Sequence, residues 1–219
     1  MDLWQITWFT VACASGATAI VLPPGVAVAW ALARRRFTGR TLVETLVSLP
    51  LVMPPVATGL ILLMLLSRRG AIGRILESAG IEVVFTWKAV VLAMAVMGLP
   101  LLVRTARAGF EQVNQRYEQV ASTLGAPPSR IFFSISLPLA WPSIVAGAVL
   151  AFARALGEFG ATIIVAGSIP GATRTLAVAI YSYTETGQDR QAGVLLVASA
   201  SIAFLALWYA NRLAERRPA

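Results

Sequence analysis

From Ile6 to Ala33 the chain carries no charged side chain. About 20 apolar residues suffice for a helix to cross the hydrocarbon core of a bilayer. Four further stretches approach or exceed that length: Leu46 to Leu66, Ala89 to Val103 with Trp87 and Arg104 at its ends, Ile144 to Val165, and Gly193 to Ala210. Backbone polar groups in lipid must be satisfied within the segment, so runs of this length are expected as helices. The first is expected to persist as a span rather than act as a cleavable leader, because Asp2 stands before it, nothing basic precedes it and it is too long. The expected fold is an all-α membrane protein of about five transmembrane helices. The outer loops leave room for a sixth crossing or a half-helix. Residues 1–219 read as a single transmembrane domain.

Composition agrees and removes several chemistries. Only 13% of the residues are charged and 58% are hydrophobic, whereas a soluble domain is about a quarter charged. The chain has no histidine and one cysteine, Cys13. Histidine metal sites, Ser-His-Asp and Cys-His catalysis and disulfide scaffolds are thereby excluded. The single lysine, Lys88, lies outside any phosphate-binding glycine loop, so the chain has no ATP site of that kind. The net charge of +8 does not point to nucleic acid, because the arginines lie between apolar runs. It reads instead as topology.

Eleven arginines fall on one side of the expected spans: Arg34, Arg35, Arg36, Arg40, Arg104, Arg107, Arg116, Arg130, Arg212, Arg216 and Arg217. Six basic residues fall on the other: Arg68, Arg69, Arg74, Lys88, Arg174 and Arg190. The richer side is assigned to the cytoplasm. This puts the N-terminus outside and the C-terminus inside.

Prolines punctuate the spans: Pro23-Pro24, Pro50, Pro54-Pro55 and Pro100. A single proline in a membrane helix is compatible with ordinary kinking. The cluster Leu49-Pro50-Leu51-Val52-Met53-Pro54-Pro55 predicts an interrupted helix, and interrupted helices mark transport pathways.

The loop of about 105–141 predicts two short helices, the first over Gln112 to Leu124. Gly125 is placed to end it in the left-handed conformation, and Pro127-Pro128 to open the second. Val120, Leu124, Ile131, Phe132, Phe133 and Ile135 make this hydrophilic-side segment apolar on one face. It is expected either to dock on a partner or to lie on the membrane surface.

Glu118-x-x-Ala121-x-x-x-Gly125, followed by Leu137-Pro138, resembles the EAA loop of bacterial ABC importer permeases, with Gln119 and Val120 departing from the usual alanines. The blocks Ser48–Val56, Arg68-Arg69-Gly70, Leu150–Arg154, Leu156–Thr162 and Ile169–Thr175 are similar to molybdate permease subunits, with sulfate/thiosulfate and tungstate permeases as relatives. The similarity covers about residues 40–180. It implies the type I importer permease fold and a non-enzymatic subunit of the bacterial inner membrane. It implies a homodimer that forms the pathway, two ATP-binding subunits that carry ATP and Mg, and a periplasmic oxyanion-binding protein. The chain itself would bind no cofactor and no metal. The coupling loop would be Glu118, Ala121, Leu124, Gly125, Ala126, Arg130, Leu137 and Pro138. The pathway would include Pro50, Pro54, Pro55, Arg154, Gly157, Glu158, Phe159, Gly160 and Thr162. Thr173, Arg174 and Thr175 would meet the binding protein, or else simply face solvent.

Arg154 and Glu158 are four residues apart inside the fourth stretch, on one expected helix face. Such a pair either ties that helix to its neighbours or touches the passing anion. Gly147, Ala151 and Ala155 form a small-residue stripe suited to close packing within the chain or across a dimer. A membrane-embedded enzyme has little catalytic apparatus to draw on here. A stand-alone channel or secondary transporter needs no docking loop.

Overall fold

The computed structural model describes residues 3–215; Asp2, Arg216 and Arg217, which bear on the expected topology, lie outside them. The described residues form eleven α-helices and no strand. The first stretch is one helix, α1 (Leu3–Arg34), which runs unbroken through Pro23 and Pro24. The second is divided into α2 (Arg40–Val52) and α3 (Pro55–Leu66), and the chain turns by 115° between them. Met53 is extended there, at φ −71° and ψ 146°, as the residue before a proline prefers. The interruption expected from the proline cluster is present, but the stretch is not one straight crossing.

A short amphipathic helix, α4 (Ala71–Ser78), comes next, and then α5 (Trp87–Gln112). Thr86 caps α5 by accepting from the Lys88 backbone N–H at 3.2 Å. The third stretch is therefore longer than expected: it continues through Arg104 and Arg107, and Gln112 is its last residue rather than the start of a loop helix. The loop begins at Val113–Asn114 and contains α6 (Gln115–Thr123) and α7 (Pro128–Ile131). A π-helical turn at Phe132–Ser136 joins α7 to α8 (Leu137–Leu156). Pro128–Leu156 is thus one 29-residue rod, about 43 Å long at 1.5 Å per residue.

The fourth stretch does not continue to Val165 as a single helix. It ends at Leu156, and a separate α9 (Gly160–Val165) begins after Gly157-Glu158-Phe159. The segment before the last stretch contains α10 (Leu176–Glu185), ten residues and too short to cross. The last stretch is α11 (Asp189–Glu215).

Hydrogen bonds between distant segments show which helix ends lie together. At one end, Arg34 of α1 bonds Val113 and Glu118, and Ser136 before α8 bonds Glu118. At the other, the Phe85 N–H donates to Val165 O at 3.1 Å, and the Leu176 N–H donates to Thr10 Oγ1 at 2.8 Å. The chain leaves α1 at the first end and enters α5 at the second, so α2 and α3 together must make the traverse. With α1, α5, α8 and α11, each long and apolar enough to cross, the bent pair α2–α3 brings the candidate crossings among the described residues to as many as five.

The centre is the α1–α5–α8 contact. Met94, Met97, Leu102, Ala151, Ala155 and Leu156 are buried there. Small residues set the spacing: a Cβ on Gly98 would stand 3.1 Å from Ala151 O, and one on Gly147 would stand 3.1 Å from Leu102 O. The Gly147-Ala151-Ala155 stripe is therefore used for packing within the chain.

Candidate functional site

Three groups of residues stand out, and the first is the α6–α7 loop. Asn114 Oδ1 accepts from the Arg116 N–H at 3.0 Å and starts α6. At its other end the Ala126 N–H donates to Ala121 O and the Gly125 N–H to Ser122 O, both at 3.0 Å. Gly125 has φ +82°. This pair of bonds around a left-handed residue is a Schellman turn, as the sequence predicts. Pro127 caps α7 and Pro128 opens it. The apolar face is real and divided. Phe132 turns inward between Trp30, 5.3 Å away, and Phe110, 6.2 Å away. Val120, Leu124 and Phe133 are exposed, Leu124 to 81%. Arg130 is exposed beside them, while Leu137 and Pro138 begin α8.

Glu118 points the other way. Its Oε1 accepts from Arg34 Nε at 3.0 Å and from Ser136 Oγ at 2.7 Å. Arg34 Nη2 also donates to Val113 O at 2.8 Å, at the residue where α5 ends. Neither Arg34 nor Ser136 is singled out by the sequence as a site residue. Arg34 counts there only toward topology, and no local spacing signals a partner 84 residues away.

The second group lies where the two broken helices meet. A Cβ on Gly59 of α3 would stand 2.7 Å from Ala161 Cα, and one on Gly160 would stand 2.7 Å from Pro55 Cβ. Backbone therefore packs against backbone between α3 and α9. Arg154, in the last turn of α8, pairs with Glu158 at 2.7 Å. The Ala161 N–H donates to the other carboxylate oxygen at 2.7 Å. The cation thus sits at a helix C-terminus and the anion at a helix N-terminus, each where the peptide dipoles favour it. The pair spans a helix break, not one continuous face. Glu158 is 1% exposed. The Phe159 ring packs against that of Tyr181 at 5.1 Å, tilted by 46°. Thr162 is buried, and its hydroxyl has no hydrogen-bond partner among the described residues, as is true of Thr58 on α3. Pro50 lies within α2, while Pro54 and Gly157 are exposed at the two breaks.

The third group is at the opposite end from Glu118. Thr173 Oγ1 accepts from the Ile169 N–H at 3.1 Å, and Thr175 caps α10; both are fully buried. Only Arg174 of the three reaches the surface, and its Nε donates to Ser168 Oγ at 3.2 Å. Nearby, Arg68 joins Glu82 at 2.6 Å and Glu77 at 3.6 Å. The Glu82 hydrogen bond, then the field of both carboxylates, raises its pKa.

Residues 25–217 match the family model described as the binding-protein-dependent transport system inner membrane component. The chain belongs to this family. It is therefore a multi-pass permease component of the inner membrane. It is 45% identical over 214 residues to the molybdenum transport system permease protein ModB of Escherichia coli K12, covering 97% of this chain and 93% of the relative. It is 38% identical over 184 residues to the sulfate transport system permease protein CysT of Salmonella typhimurium, covering 82% and 66%. Its fold is similar to that of a bacterial ABC transporter that imports alginate, with a TM-score of 0.75 at 17% identity, covering 100% of this chain and 81% of the other.

Proposed function

We propose that this permease forms the membrane pathway for molybdate in an ATP-driven importer. The near full-length similarity to the molybdenum permease carries the substrate assignment. Two copies of the chain enclose the pathway. Two ATP-binding subunits carry ATP and Mg, and this chain binds neither. An oxyanion-binding protein delivers substrate at the outer face, where Arg174 reaches the surface while Thr173 and Thr175, buried beside it, hold the loop. The arginine bias places the N-terminus outside and the α6–α7 loop in the cytoplasm.

The loop is the docking segment. Its exposed Val120, Leu124 and Phe133 offer an apolar surface beside Arg130. Ala121, Gly125 and Ala126 fix its shape through the Schellman turn, and Leu137-Pro138 joins it to α8 without a flexible link. When the ATP-binding subunits close, the rod from Pro128 to Leu156 carries the displacement to Arg154 and the α3–α9 wedge. There Pro50, Pro54, Pro55, Gly157, Phe159, Gly160 and Thr162 border the pathway. The Arg154–Glu158 pair holds α8 to α9 while they move, and alternating access results. A strong anion site at Arg154 would slow release, which favours this structural role.

The test is uptake of labelled molybdate into vesicles holding the complete complex, with unlabelled tungstate and sulfate as competitors. Molybdate uptake that requires ATP and the binding protein is expected. The sulfate reading, which the similarity to CysT supports, wins if sulfate is carried and molybdate is not.

A further inference from the structure

The acidic residue of the docking loop faces into the protein. We infer that Glu118 is a positioning residue: with Arg34 and Ser136 it clamps the loop to α1 and α8, so that one displacement moves both helices. The inference rests on the loop being the docking segment for the ATP-binding partner.

Four observations carry it. Side chains point from a helix at about 100° per residue, so Glu118 lies about 160° around α6 from Val120 and about 120° from Leu124, which caps that helix. The latter two are 58% and 81% exposed, while the side chains of Glu118 and Arg34 are only 19% and 7% exposed. The docking face and the clamp face are thus separate sides of α6. Second, one carboxylate oxygen accepts from both Arg34 Nε and Ser136 Oγ, so a single atom joins α1, α6 and the start of α8. Third, Arg34 also bonds the Val113 carbonyl. Val113 is where α5 ends, so that helix is tied into the same joint. Fourth, Ser136 is 1% exposed and is the last residue of the π-helical turn. A π-type turn adds one residue and rotates the downstream helix by about 100° relative to a regular α-helix. This insertion helps to set the direction in which Ser136 presents its hydroxyl.

A charge pair with low exposure is costly to break from one side, because the remaining charge stays buried without its partner. Removing both charges relieves that cost. Two residues that act through each other therefore give non-additive effects, and residues that act on separate targets do not. If Glu118 instead reached a partner subunit, its loss and the loss of Arg34 would multiply.

The experiment uses the complete complex in proteoliposomes and reads ATP hydrolysed per molybdate imported, normalised to assembled complex. Arg34→Met and Glu118→Leu are each expected to raise that ratio about tenfold, and the double variant also about tenfold rather than a hundredfold. Ser136→Ala keeps the ion pair but removes the tie to α8, and is expected to raise the ratio about threefold. If a single charge deletion fails to assemble, Glu118→Gln and Ser136→Ala, alone and together, replace it in the same cycle. Multiplying effects, or unchanged ratios in all variants, would overturn the clamp. The parental complex separates the two readings. If it assembles with its ATPase and imports molybdate while the cycle is additive, only the clamp is lost. If it neither binds an ATPase nor imports molybdate, the functional assignment fails first.

Discussion

Pro23 and Pro24 lie in mid-α1 and Pro100 in α5, and both helices continue through them. At Pro54-Pro55 the chain turns by 115°. The local chemistry is the same in each case: a missing N–H donor and a preceding residue pushed toward extended backbone. The surroundings differ. Val21, Gly25 and Val26 flank the α1 prolines and are buried, and Gly25 sits tightly against Leu102 of α5. Helix α2, which leads into the break, has no buried residue at all. Tertiary packing holds α1 and α5 helical against their prolines. At Pro54-Pro55 the helix ends instead, whereas the lone Pro50 inside the same unburied α2 is accommodated, so the paired prolines and the missing support act together there. The unbroken part, α1–α5–α8, is therefore a frame, and the broken part, α2–α3 with α9, is the part built from short pieces.

The comparison is most easily broken at the α3–α9 contact. Gly59→Ala is expected to destabilise the purified complex by about 3 kcal/mol, because its new methyl meets backbone that cannot turn aside. Thermal unfolding in detergent reads this, and an unchanged melting temperature would show that the two short helices are not wedged together. Arg154→Gln comes next, at about 2 kcal/mol, since it leaves the buried Glu158 without its cation. Adding Glu158→Gln should restore part of that loss. No recovery in the double variant would mean that the pair does not join α8 to α9.

At the loop, Gly125→Asp forces a side chain into the left-handed region at a cost of about 1 kcal/mol. Its larger consequence is functional: ATP hydrolysis should continue while import falls. Parental import by that variant in reconstituted vesicles would remove the loop from the coupling role. The smallest effect belongs to the frame. Gly16 of α1 has open space where a Cβ would be, so Gly16→Ala should change stability by less than about 1 kcal/mol, toward greater stability. A large loss there would contradict the account of α1 as a helix with spare room on that face.

Much of this was legible in the residues. Hydrophobic length marks the apolar stretches that become the candidate crossings, because a bilayer sets a minimum run that few soluble segments reach. The glycine and paired prolines mark the turn between α6 and α7, because those residues restrict backbone angles whatever surrounds them. The end of α8 was less legible: Leu156 to Val165 stays apolar across the break, and hydropathy does not register a helix that stops and restarts. The burial of Thr173 and Thr175 was hidden as well, since a hydroxyl in a loop gives no sign of whether it bonds solvent or its own backbone.

The sequence by itself determined that this chain lives in a membrane, that it has no ATP-binding glycine loop, and that it carries a rigid apolar loop between its third and fourth crossings. Those properties are local or additive, summed from side-chain transfer energies and backbone restrictions. The tertiary structure decided which prolines break their helices and which charges meet. Arg34 finds Glu118 across 84 residues, and Arg154 finds Glu158 across a helix end. Both outcomes depend on where whole helices come to rest, because a buried charge is tolerable only when packing delivers its partner to within hydrogen-bonding reach.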